Sequence, residues 1–124
     1  MNRAVAALAA SLMLAVPALA APGDMSATTF LAKADALKAK GIGALGSPDL
    51  KLLRAEGQAA GEAYRQRLQA ERAQGRPSSC PPKGTQVSSD KLLAHLRTYP
   101  EPVRARTSMK QAMADYFIRN YPCR

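Results

Sequence analysis

The sequence predicts an all-α fold, a small helical bundle of about four helices with one disulfide joining Cys80 to Cys123. Three observations carry that expectation. Apolar residues recur three and four positions apart in each block, and glycine and proline punctuate the chain between blocks. No block shows the strict alternation of a half-buried strand. The third observation is an isolated cysteine pair in a chain that opens with an export signal.

That signal occupies residues 1–20. Arg3 is followed by an apolar stretch from Ala4 to Val16, then Pro17 and the small-x-small sequence Ala18-Leu19-Ala20, so cleavage is expected after Ala20. The apolar core is shorter than the roughly 20 residues a spanning helix needs. No cysteine sits just after the cleavage point, so a lipid anchor is not indicated. The mature chain, residues 21–124, is expected to be a soluble single helical domain with no transmembrane segment, located in the periplasm. Its 104 residues suffice for one modest core. With no Trp, that core must be built from Leu, Met, Ala and the rings of Phe30, Tyr64, Tyr99, Tyr116, Phe117 and Tyr121.

A first helix is expected from about Ser26 to Lys40. Ser26 caps it, Phe30, Ala34 and Leu37 share a face, and Gly41 ends it in a left-handed conformation. Gly41 to Gly46 reads as a flexible turn. Ser47-Pro48-Asp49 then starts a second, longest helix: a capping hydroxyl, a proline tolerated in the first turn, and an acid at the positive end of the dipole. This helix reaches to about Gln74, with Leu50, Leu53, Gly57, Ala60, Tyr64 and Leu68 along one stripe. Gly57 and Gly61, one turn apart, suggest close approach by another helix. Glu56, Glu62, Arg65 and Arg67 exclude a membrane dimer motif.

Gly75 to Gly84, broken by three prolines, is a loop anchored by Cys80. Ser88 or Ser89 caps a short third helix with Leu92, Leu93, Leu96 and Tyr99, ended by Pro100-Glu101-Pro102. A final helix from about Thr107 to Asn120 presents Met109, Met113, Tyr116 and Phe117 on one face, and Tyr121-Pro122-Cys123 stops it. A Cys80–Cys123 bridge would enclose about 44 residues and add about 4 kcal/mol in the chain-entropy model. Zinc would need four ligands where two distant Cys and the lone His95 are offered, and the C-x-x-C spacing of a redox pair is missing. No metal and no cofactor is therefore expected.

The C-terminal part resembles the Rap/Tai family of small periplasmic helical proteins. The residues that carry the likeness are Cys80, Pro81, Pro82, Leu92, Leu93, Tyr99, Pro100, Glu101, Ala112, Phe117, Pro122 and Cys123, within residues 80–124. Some members are immunity proteins that inhibit peptidoglycan-amidase effectors of type VI secretion. The resemblance implies a periplasmic helical bundle, a homodimer as one possible state, and a secreted effector protein as partner. It covers structural positions only; residues 21–79 carry no matching motif.

The residues give no sign of catalysis. His95, the only imidazole, lies in a leucine-rich helix with no acid placed beside it by sequence, and Glu56, Glu62, Glu71, Glu101 and Asp115 are spaced like solvated helix faces. An enzyme is not expected. The charge is more telling: without Arg3 the chain has 17 basic and 9 acidic residues, a net charge of +8. Arg97, Arg104, Arg106, Lys110, Arg119 and Arg124 are the candidate surface for an anionic partner. Two function classes follow: an immunity-type inhibitor that binds a secreted effector, or an envelope structural or stress-related module whose basic face binds anionic lipid or cell-wall polymer. Nucleic acid is not expected, since the compartment is wrong and no reading motif accompanies the basic residues.

Overall fold

A computed structural model describes residues 21–124; the expected signal peptide, residues 1–20, lies outside the described residues. Five α-helices form the structure: α1 (Ala27–Lys40), α2 (Pro48–Ala73), α3 (Ser89–Arg97), α4 (Glu101–Ala105) and α5 (Met109–Asn120), with a 3-10 helix at Gly41–Gly46. Among the described residues there is no strand beyond one isolated bridge, Ser26 to Ser108. The fold is all-α, as the sequence predicts.

Four of the helices begin on a serine. The side-chain oxygens of Ser26, Ser47, Ser88 and Ser108 accept from the backbone N–H groups of Thr29, Asp49, Lys91 and Gln111 at 3.1, 3.3, 3.3 and 3.1 Å. Each satisfies an N–H that the helix itself leaves without a partner. The last helix starts at Met109 rather than Thr107 because Ser108 takes the cap; Thr107 is buried and donates its hydroxyl to the Val103 carbonyl at 2.7 Å.

Two segments differ from their sequence expectations. Pro100-Glu101-Pro102 does not only stop α3, whose helical hydrogen bonding ends at Arg97; it also opens α4. The Pro100 carbonyl accepts from Val103 and Arg104 at 2.9 and 3.0 Å, and Pro102 sits in the first turn, where a missing N–H costs nothing. Gly41 to Gly46, expected as a flexible turn, forms a 3-10 helix, with Gly41 at φ +57° closing α1.

Helix α2 is the central element, packed against α5 and α1, while α3 lies against α5 and α1, and α4 against α1. The buried stripe Leu53, Ala60, Tyr64 and Leu68 of α2 meets Ala112, Met113 and Ala114 of α5 and Phe30, Leu31 and Ala34 of α1. Five of the six aromatic rings form a chain: Tyr64 stacks on Phe117 at 5.1 Å, and Tyr116 and Tyr121 lie 5.6 and 5.8 Å from Phe117. Through His95, 5.6 Å from Tyr116, the chain reaches Tyr99 at 5.2 Å. Gly57 and Gly61 do not mediate close helix packing: a Cβ at either would meet no atom within 4 Å.

The disulfide joins Cys80 to Cys123 with Cα atoms 4.9 Å apart. It has a backbone companion, because the Cys80 N–H donates to the Tyr121 carbonyl at 2.7 Å. On the other side of Cys80 the loop is tied to α2: the Tyr64 hydroxyl hydrogen-bonds with the fully buried Ser79 hydroxyl at 2.6 Å. Glu71 accepts from the Ser78 N–H at 3.0 Å and from its hydroxyl. The loop before α3 is thus held at both the foot of α2 and the end of α5.

Candidate functional site

The six basic residues proposed from sequence are not equally free. Arg97 is engaged by Asp35 of α1 at 2.8 Å, an exposed pair in which the Arg97 hydrogen bond holds the Asp35 carboxyl below its usual range. Lys110 meets Asp24 at 3.0 Å. Arg104 turns inward: its Nη2 donates to the Arg97 carbonyl at 2.8 Å, and its Nε is buried with no partner among the described residues. Arg106, Arg119 and Arg124 are exposed.

His95 has an acid near it that spacing did not reveal. The Tyr99 hydroxyl donates to Asp115 at 2.6 Å, His95 Nε2 lies 3.0 Å from the same hydroxyl, and Gln111 donates to the other Asp115 oxygen at 2.8 Å. Burial, then the Asp115 hydrogen bond, raise the Tyr99 phenol far above its usual value; burial pushes the His95 imidazole below its own. A phenol held protonated is no nucleophile, and the imidazole is buried edge-on to Tyr99 and Tyr116. This constellation fastens α3 to α5. It was hidden because Asp115 is far from His95 in sequence.

A second carboxylate is also absorbed by structure. Glu56 is buried on α2 and accepts from the Gly23 N–H at 2.7 Å and the Met25 N–H at 3.4 Å. The segment preceding α1 continues along the start of α5, where Ala27 donates to Thr107 at 2.8 Å and Met109 to Met25 at 2.8 Å. Among the described residues no group of three or more His, Cys, Asp and Glu side chains is placed to hold a metal ion. No helix among them is long and apolar enough to cross a membrane.

The most exposed large hydrophobic side chains among the described residues lie in the 3-10 helix, where Ile42 is 86 % exposed and Leu45 73 %. Three residues per turn bring positions three apart onto the same face, so the two side chains project together, while Ala44 packs against the core. Lys38 and Lys40, in the last turn of α1, stand just before them. Leu52, early in α2, is also exposed. Sequence reasoning passed over this turn; the signal that could have found it is the pair of large aliphatic residues in Gly-Ile-Gly-Ala-Leu-Gly, a turn with no polar side chain.

Comparison of the chain with protein-family models, with curated proteins and with solved structures finds no match.

Proposed function

We propose that this chain is an exported, non-catalytic binding protein of the immunity type, which works in the periplasm by capturing a secreted effector through the turn at Gly41–Gly46. The observation that supports this reading is the paired exposure of Ile42 and Leu45 on an ordered turn. Single exposed aliphatic residues are ordinary. Two on one face of a short 3-10 helix form an anchor whose burial by a partner is worth about 1.5–3 kcal/mol per side chain. Lys38 and Lys40 beside it favour an acidic rim on the partner. The resemblance of residues 80–124 to the Rap/Tai family points to a peptidoglycan amidase as that partner.

Periplasmic co-production with a peptidoglycan-amidase effector of type VI secretion tests the reading. Protection of cells from lysis by the chain, and loss of protection with Ile42→Asp/Leu45→Asp, are expected. Lysis at the same rate with and without the chain contradicts it.

The alternative, an envelope module that binds anionic lipid or wall polymer, draws on the exposed Arg106, Arg119 and Arg124. Binding to anionic vesicles or to isolated peptidoglycan that vanishes on reversal of these three charges, and at high salt, would favour it.

A further inference from the structure

A groove of about 410 Å³ opens between α1, α2 and the start of α3. Its floor is formed by buried core side chains: Phe30, Leu53, Leu92, Leu93 and Met113. None of these side chains carries a hydrogen-bonding group, so the floor offers no partner to the amides of a peptide, which would be stranded there at a cost. Hydrocarbon has no such requirement. The volume lies in the lower part of the range of roughly 300–1,000 Å³ in which small-molecule sites fall.

The rim supplies the second half of a ligand. Lys38 and Arg54, both exposed, border the groove from α1 and α2, and neither is engaged in an ion pair among the described residues. No carboxylate lines the groove. Gln58 and Ser89 are the neutral polar residues of the lining, and Lys38 and Arg54 are its only charged ones; an apolar trough whose charges are all cationic is complementary to a hydrocarbon tail with an anionic head.

We propose that this groove binds a free single-chain amphiphile with a carboxylate head, a fatty acid, its tail along Phe30, Leu53 and Leu92 and its carboxylate between Lys38 and Arg54. The groove shares Lys38 with the surroundings of Ile42 and Leu45 but includes neither of those two side chains, and it stands whether or not that face captures an effector.

Gly57 makes the proposal testable. It lines the groove from the middle of α2, and a Cβ there meets no atom within 4 Å. A larger side chain can therefore enter the groove without displacing the helix, and replacing glycine inside a helix favours folding. Isothermal titration with dodecanoate below its micelle concentration should give saturable binding at one molecule per chain. Gly57→Leu should weaken it by at least about tenfold with a melting temperature equal to or above that of the unaltered protein. Gly61→Leu, one turn further along α2 and outside the groove, should leave affinity unchanged. Lys38→Gln/Arg54→Gln should weaken dodecanoate by about fivefold or more and abolish its preference over dodecyltrimethylammonium. No saturable binding would overturn the proposal. So would a stoichiometry of several molecules per chain, equal binding of the cationic amphiphile, or affinity indifferent to Gly57→Leu. Binding to anionic vesicles without binding of free dodecanoate would count against it as well, since it would assign the cations to a membrane surface.

Discussion

The phenol of Tyr99 donates to the Asp115 carboxylate at 2.6 Å and joins the end of α3 to the middle of α5. The same oxygen lies 3.0 Å from His95 Nε2, so one hydroxyl serves two partners. Tyr99→Phe should lower unfolding free energy by about 1–2 kcal/mol in urea titrations, because it keeps the ring and strands the polar groups around it. Asp115→Asn should be coupled to it by about 1 kcal/mol in a double-mutant cycle. Strict additivity would show that the bond contributes nothing of its own.

Stability should fall as pH drops from neutrality towards 5. His95 is held below its ordinary value chiefly by burial, with the Ala112 carbonyl and Asp115 opposing and Arg119 assisting. The unfolded chain therefore takes up the proton first as pH falls through about 6.5, which draws the equilibrium towards unfolding. The loss should level off once pH is below the folded-state value. His95→Gln should flatten melting temperature over this interval; an unchanged slope would place the effect elsewhere. The carboxyls of Asp35, Glu62 and Glu71, which hydrogen bonds hold low, act in a separate and more acidic interval.

Gly23 is fixed as glycine by two independent constraints. Its φ is +96°, and a Cβ there would come within 3.0 Å of Lys110 Cγ and Cε. Gly23→Ala should cost about 1–2 kcal/mol in thermal or urea unfolding. Gly43→Ala, where φ is not positive and no atom lies within 4 Å, should be neutral or slightly stabilising. Equal effects at the two positions would contradict the assignment.

Three of the four serine caps and the disulfide partners can be read from sequence because each depends on residues next to it in the chain or on there being only two cysteines. Ser26, Ser47 and Ser88 each precede a block of apolar residues at helical spacing. Other features depend on distant pairings. Asp115 reaches Tyr99, and Glu56 reaches Gly23, only once α5 and α2 are packed. Local pattern therefore left both among solvated faces. The glycine pair was misleading for a related reason: small residues permit a close approach but do not supply the neighbour, and Gly57 instead opens onto a groove. Of the six arginines and lysines singled out for an anionic partner, Arg97 and Lys110 are drawn into pairs with Asp35 and Asp24, which net charge cannot disclose.

Loss of the Cys80–Cys123 bond should destabilise the chain by about 4 kcal/mol if the separation of 43 positions acts through the entropy of the unfolded state. Cys80→Ser/Cys123→Ser is the variant, and its urea midpoint relative to the oxidised protein is the readout. Protease cleavage in residues 75–88 should accelerate in parallel. A midpoint shift equivalent to less than about 1 kcal/mol would show that the Cys80 to Tyr121 hydrogen bond and the Ser78 and Ser79 ties hold the loop without the bridge.

The central proposal, that Ile42 and Leu45 anchor a partner protein, is tested most directly by the dissociation constant for a purified peptidoglycan-amidase effector of type VI secretion. The account predicts saturable binding to the unaltered chain and at least about a hundredfold weakening by Ile42→Asp/Leu45→Asp, with helical content and melting temperature retained. Saturable binding that is indifferent to this substitution, or no binding by the folded, oxidised protein, would contradict it.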